Sequence, residues 1–294
     1  MSTDLPYRIA ERGGTRTLIT RDSRYGIRDA QFWDQRALTY PLPFDSDPLS
    51  FTEGVMAIME GRCRPIEGAR VLDIGCGTGT FSLPLALKGA SVTALDFSGN
   101  MLNRLTAEAQ RLGIRGVETI HASWKQFDPE FAGLLGRFDI VLSALSIAVK
   151  TTRDILKMER CSKDWCICIA SGKVRRDALS EGIVRTFRAP LNQRPDIRRI
   201  RDKLENLGRT FCYESFTGTE RDTKTPAQFA DEVASRLAAS GAVPDRLRIL
   251  GAICALYGCA EDERAVEQEL SCDMGILLWN TQMKPDESTA APGL

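Results

Sequence analysis

From residue 70 onward, short apolar runs alternate with stretches of helical periodicity, and that alternation restricts the fold more than any other feature of the chain. Ala69 to Ile74, Ser91 to Asp96, Val117 to His121, Phe138 to Leu142 and Trp165 to Ala170 read as strands. Thr80 to Lys88 and Ser98 to about Leu112 read as helices between the first three of them, with Pro84 in an opening turn and Gly89 as a stop. Strands separated by helices imply right-handed crossovers and a mostly parallel sheet, covered by helices on both faces.

The flanks are less regular. Residues 1–27 are polar and dotted with arginine, which predicts an irregular arm. Residues 28–64 read as a helical segment: Asp29 to Tyr40 ends at Pro41 and Pro43, and Pro48 to Met59 follows with Asp47 as its N-cap. Residues 65–283 form the main domain. Within it, 174–209 and 226–258 read as helical segments, and 284–294 is a disordered tail. Thr210 to Phe216 and Asp273 to Trp279 read as late strands.

Composition narrows the chemistry. The 294 residues balance 39 basic against 39 acidic side chains, so no global basic excess points to nucleic acid. Residues 174–209 hold ten basic and five acidic residues, a mixed solvated face rather than a polyanion site. No apolar run is long enough for a bilayer, and the first residues lack a secretory pattern, so a cytoplasmic protein is expected. Nine cysteines and one histidine, His121, make a disulfide framework, a His-based metal site or a Ser-His-Asp triad poor candidates. Cys161, Cys166 and Cys168 lack a fourth ligand and read as buried small hydrophobes, with no metal expected.

The strongest local signal is Val71-Leu-Asp73-Ile-Gly75-Cys-Gly77-Thr-Gly79-Thr80, a strand turning through glycines into a helix. A phosphate-cradling loop needs Lys and Ser or Thr after its glycines, and Thr80-Phe81 stands there. A dinucleotide fingerprint needs glycine at position 80. Asp73, two residues before the first glycine, would repel a pyrophosphate but suits the ammonium and sulfonium of S-adenosylmethionine. Asp96 ends the second strand roughly 20 residues on, where an acid accepts from ribose hydroxyls.

These residues, with Ala94-Leu-Asp96-Phe-Ser98 and Met101, resemble the class I S-adenosylmethionine-dependent methyltransferases, particularly their small-molecule branch. The resemblance covers residues 65–172, and element order extends it over 28–64 and 200–281. It implies a Rossmann-like α/β fold: a seven-stranded, mostly parallel sheet whose last strand, Asp273 to Trp279, is antiparallel. An N-terminal helical lid and a helical insertion after strand five complete it. The backbone from Gly75 through Cys76 to Gly77 would hold the cofactor's amino-acid end, Asp96 its ribose, and Phe97 and Met101 would flank the adenine.

Ser123 stands where the family often has an acid facing the adenine amino group, and a hydroxyl accepts that bond more weakly. Trp124 either stacks on the purine or packs into the sheet edge. Ser143 lies where the family lines the cofactor and acceptor pocket. Trp33, Asp34 and Tyr40 lie at the position of the lid helix, where simple packing is an equal reading. No residue stands out as a catalytic base, and in-line methyl displacement needs one only for a protonated acceptor. The resulting expectation is an S-adenosylmethionine-dependent methyltransferase acting on a small molecule. A binding protein that transfers no methyl group and an NAD-dependent oxidoreductase stay open beside it.

Overall fold

The computed structural model describes residues 7–12, 15–20, 27–174, 186, 196–239, 243–258 and 266–282. These divide into two compact units. The first draws on 1–170, 195–214 and 275–294, the second on 171–194 and 215–274.

The first unit is built on β3 (Arg70–Ile74), β4 (Ser91–Asp96), β5 (Val117–His121) and β6 (Phe138–Ala144), which pair in parallel in the order β5-β4-β3-β6. The next strand, β7 (Ser162–Val174), pairs in parallel with β6. With β8 (Cys212–Lys224) and β9 (Val266–Asn280) the order becomes β5-β4-β3-β6-β7-β9-β8. These are the seven strands expected. The Thr281 N–H donates to the Asp164 carbonyl at 2.7 Å, while Gly172 abuts Asp273. Positions along β7 therefore rise as those along β9 fall, and β9 runs antiparallel.

Two further strands correct the expectation of an irregular arm. β1 (Tyr7–Arg12) and β2 (Thr15–Thr20) form an antiparallel pair, and β2 adds in parallel to the edge of β5. The sheet thus has nine strands. Charged and polar residues outnumber Ile9, Leu18 and Ile19 in this stretch. Its strand character comes from an available sheet edge rather than from its own hydrophobicity.

Helices cover both faces. Strand side chains alternate, so Val71 joins one apolar cluster and Leu72 and Ile74 the other. On the first face lie α2 (Ser46–Arg62) through Val55 and Met59, α3 (Ser82–Leu87) through Leu83 and Leu85, and α4 (Gly99–Leu112) through Leu102 and Leu105. On the second lie α5 (Thr152–Cys161) through Ile155 and Met158, and α6 (Ile197–Asn206) through Ile200 and Leu204. Cys161, Cys166 and Cys168 are buried in that second cluster, where burial pushes each thiol above its ordinary range. Helix α6 lies within the insertion expected after strand five, and residues 175–185 and 187–195 of that segment fall outside the described residues. So does the tail from 283 onward.

Before the sheet core, α1 (Ile27–Arg36) runs into a 3-10 turn, Ala37–Thr39. The following α2 starts two residues earlier than expected. Its N-cap is Asp45 rather than Asp47, and the Asp45 carboxylate accepts from the Leu42 N–H at 2.7 Å instead of from the helix. No described helix is long and apolar enough to cross a membrane.

In the second unit, α7 (Pro226–Ala239) and α8 (Arg246–Tyr257) pack Phe229, Val233 and Leu237 against Ile249, Leu250 and Ile253. This is the helix pair that the sequence places around Val243-Pro244.

The chain leaves β3 outward through β4 to β5 and returns to β6 on the opposite side of β3. That reversal is the switch point at which open α/β sheets leave a crevice beyond their carboxyl ends.

Candidate functional site

The glycine turn after β3 is held from below by β4. The Gly75 and Cys76 N–H groups both donate to the Leu95 carbonyl, at 2.7 and 3.1 Å, and the Gly79 N–H closes on the Cys76 carbonyl at 3.0 Å. Gly75 and Gly77 have φ of 75° and 56°, in the left-handed region that favours glycine. A Cβ at Gly75 would lie 1.8 Å from Ser146 Oγ, so the loop after β6 approaches to the limit that glycine allows. A Cβ at Gly77 would meet nothing within 4 Å, so this backbone borders open space.

That space is a cavity at the carboxyl ends of β3, β4 and β6. Asp73, Gly75, Cys76 and Gly77 line it from the β3 side, and Asp96, Phe97 and Met101 from the β4 side. Seven of the ten residues singled out from sequence are therefore brought together. The wall is completed by Trp33 and Tyr40 from the N-terminal segment, by Thr80 and Phe81, and by Ala144 to Ile147 after β6.

The two acids set the electrostatics. Asp96 Oδ2 accepts from the Gly77 N–H at 2.9 Å and Oδ1 from the Ser98 N–H at 2.8 Å, which ties the end of β4 to the glycine turn. Asp73 Oδ2 accepts from the Ser82 hydroxyl at 2.6 Å. Burial pushes the Asp73 carboxyl up to about 7, the Ser82 hydroxyl opposing the rise and the Asp96 charge adding to it. Burial also raises Asp96, against the N–H groups of Ser98, Gly77 and Phe97 and the nearby His121. Among the described residues, none that lines the cavity is basic. Burial holds the Cys76 thiol well above its ordinary range, which keeps it protonated and a poor nucleophile.

Three expected residues lie elsewhere. Trp124 is 2% exposed in the second core cluster. Its ring stacks on Phe127 with centroids 6.1 Å apart, and the Lys157 ammonium sits 4.4 Å from its centroid. It is packing, and the purine-stacking alternative is set aside. Ser123 is not on the cavity wall, and its carbonyl accepts from the Gln126 and Phe127 N–H groups at 2.9 and 2.8 Å. Ser143 is still inside β6, buried, with its hydroxyl donating to the Ile74 carbonyl at 3.2 Å. The cavity begins after it, at Ala144 and Ser146.

Among the residues not singled out, Leu145 has a φ of 52°, the sole positive value outside glycine among the described residues. No sequence signal marks it. Trp33 and Tyr40 did carry a signal, as aromatics in a segment weighed as a lid.

Comparison with known proteins agrees with this geometry. Residues 71–163 match a family described as a methyltransferase domain. An uncharacterized protein of Haemophilus influenzae is 30% identical over 151 residues, 51% of this chain and 53% of its own length. A ubiquinone biosynthesis O-methyltransferase of Caulobacter sp. is 37% identical over 127 residues, 41% of this chain and 48% of its own. The chain thus spans about half the length of the curated relatives it matches. Among solved structures, a putative methyltransferase from Bacillus halodurans aligns over 80% of this chain and 100% of its own, with a TM-score of 0.55 at 16% identity. That likeness shows a shared fold.

Proposed function

We propose that this chain, whose residues 71–163 match a methyltransferase domain family and whose fold is Rossmann-like, binds S-adenosylmethionine and methylates a small-molecule acceptor. The observation that carries this reading is the pair of buried acids, Asp73 and Asp96, on one cavity wall that holds no basic side chain among the described residues. A pyrophosphate would meet like charge at low dielectric there, whereas an ammonium would be attracted. The residues fit the cofactor on a second ground, because Gly77 leaves its backbone open to the cavity where a Cβ would otherwise project.

In this reading the turn from Gly75 through Cys76 to Gly77 holds the amino-acid end, Asp96 accepts from the ribose hydroxyls, and Phe97 and Met101 flank the adenine. Asp96 already accepts one N–H on each oxygen, and each oxygen keeps a lone pair for a hydroxyl. The bound cofactor supplies an activated methyl group on a sulfonium. The chain's own contribution is alignment and exclusion of water, through Trp33, Tyr40 and Phe81 on the cavity wall. Residues 28–64 would serve as the lid. A cytoplasmic location belongs to the same proposal.

Isothermal titration with S-adenosylhomocysteine tests the assignment, with micromolar binding expected. Absence of heat at millimolar ligand, or saturable quenching by a nicotinamide dinucleotide instead, would sink it. Methyl incorporation from labelled cofactor into metabolite extracts separates a transferase from a protein that only binds.

A further inference from the structure

Helix α1 is tied to the start of α4 by one side chain. Asp34 Oδ1 accepts from the Ser98 hydroxyl at 2.6 Å and from the Asn100 N–H at 3.1 Å, and the Asn100 side-chain amide donates to the Asp34 carbonyl at 3.2 Å. A carboxylate at this place also faces the positive end of a 14-residue helix. Ser98 is fully buried and serves three partners. Its hydroxyl donates to Asp34 and accepts from the Met101 N–H at 3.2 Å, while its own N–H donates to Asp96. Met101 and Asp96 both line the cavity, and Trp33, next to Asp34, lines it from the other side. Further along, Arg104 donates to the carbonyls of Ala37 and Tyr40, and Thr78 of the glycine turn donates to the Pro41 carbonyl at 2.9 Å.

We infer that Asp34 is a positioning residue that latches α1 to Ser98 and Asn100, holding Trp33 as a wall of the cavity, so that exchange of the cavity's occupant requires this latch to open. Trp33 itself packs edge-on against Tyr40 with centroids 6.1 Å apart, so releasing α1 disturbs both aromatic walls together. Asp34 is partly exposed and contributes nothing to either core cluster, so its removal leaves the sheet packing intact. The latch stands on contacts within the chain. Only the statement about exchange rests on the proposed cofactor.

The test uses the full chain with Asp34→Ala and Asp34→Asn, read by two measurements. Cys76 lines the cavity and is 6% exposed, so its alkylation by iodoacetamide, followed by peptide mass mapping, reports opening without any ligand. Fully buried Cys166 serves as the reference for general loosening. Asp34→Ala should alkylate Cys76 at least tenfold faster with Cys166 unchanged. Asp34→Asn should stay within threefold of the parent, because its amide oxygen still accepts from both donors. Stopped-flow dissociation of S-adenosylhomocysteine should quicken by the same factor in the alanine variant.

The inference is overturned if the alanine variant leaves the Cys76 or dissociation rate within twofold of the parent. It is equally overturned if asparagine behaves as alanine does, or if Cys166 rises in parallel. Latch-dependent alkylation in a protein that binds no S-adenosylhomocysteine would overturn the cofactor reading and leave the latch standing. Tight binding with latch-independent alkylation would do the reverse.

Discussion

Strands β4 and β5 run side by side and end in register, Asp96 opposite His121, yet the residues that follow them go to different places. After β4 the chain opens toward the crevice, and Asp96, Phe97 and Met101 all face one cavity. After β5 the Ala122 N–H donates back to the Asp96 carbonyl at 2.9 Å, and the turn at Ser123 rolls Trp124 beneath the sheet into the core. Both stretches sit where ligand contacts are sought in a parallel sheet. The difference lies in what each turn spends its hydrogen bonds on. One leaves its carboxylate facing a cavity, and the other closes on itself and buries an aromatic ring.

Four measurements bear on this contrast, ranked by their expected effect on S-adenosylhomocysteine affinity. Gly75→Ala brings the largest, because its Cβ would lie 2.6 Å from Ser146 Cβ at a backbone angle costly for any side chain. Calorimetry should show a loss of roughly a hundredfold, about 2.8 kcal/mol. Asp96→Ala should cost at least tenfold, about 1.4 kcal/mol. Unchanged affinity would remove β4 from the binding side of the comparison.

Acidity comes third. Free Asp73 titrates at about 7, and pairing with an ammonium requires the carboxylate. Above pH 7 affinity should be level with respect to this group. Below it a proton must leave on binding, and affinity should fall by up to tenfold per unit. Asp73→Asn should flatten the profile. The same group has the opposite bearing on the free fold. Its folded value lies above the ordinary 3.8, so its contribution is present in acid and is lost as pH rises through 7. Asp73→Asn should therefore raise the melting temperature of the free protein at pH 8 while weakening the ligand.

Trp124→Phe closes the series, with affinity expected within twofold. The change should register as lowered stability of about 1 to 3 kcal/mol in a urea titration, from the volume lost beside Phe127 and Lys157. A tenfold loss of binding would return Trp124 to the ligand and erase the contrast between the two loops.

The contrast also marks how far sequence reached. The order of β3 to β7 was legible because each apolar run ends in a residue that cannot continue it, such as Gly75 after Ile74 or the N-cap Ser98 after Asp96. The acidic glycine turn was legible because glycine at φ near 75° and a carboxylate beside it are chemical statements in themselves. The β1–β2 pair was not, since its strands depend on the edge of β5, a partner about a hundred residues away. Ser143 was singled out where the family lines its pocket, but β6 continues to Ala144, and one or two residues of extension decide whether a hydroxyl meets a ligand or a neighbouring carbonyl. Trp124 stayed open between stacking and packing for a related reason: alternation tells which residues share a strand face and is silent once the chain turns.

Leu145 carries a consequence for anyone who would make this protein hardier. Its left-handed backbone costs on the order of 1 kcal/mol, and the fold bears that cost with the Leu145 N–H anchored to the Ile169 carbonyl at 2.8 Å. Glycine at this position would relieve that cost but would remove a side chain packed against the first core cluster, a loss on the order of 2 kcal/mol. It would also strip a side chain from the cavity wall. Core packing and a well-shaped pocket therefore pull in the same direction at this residue, and a screen that selects for heat resistance should keep leucine there despite its strained backbone.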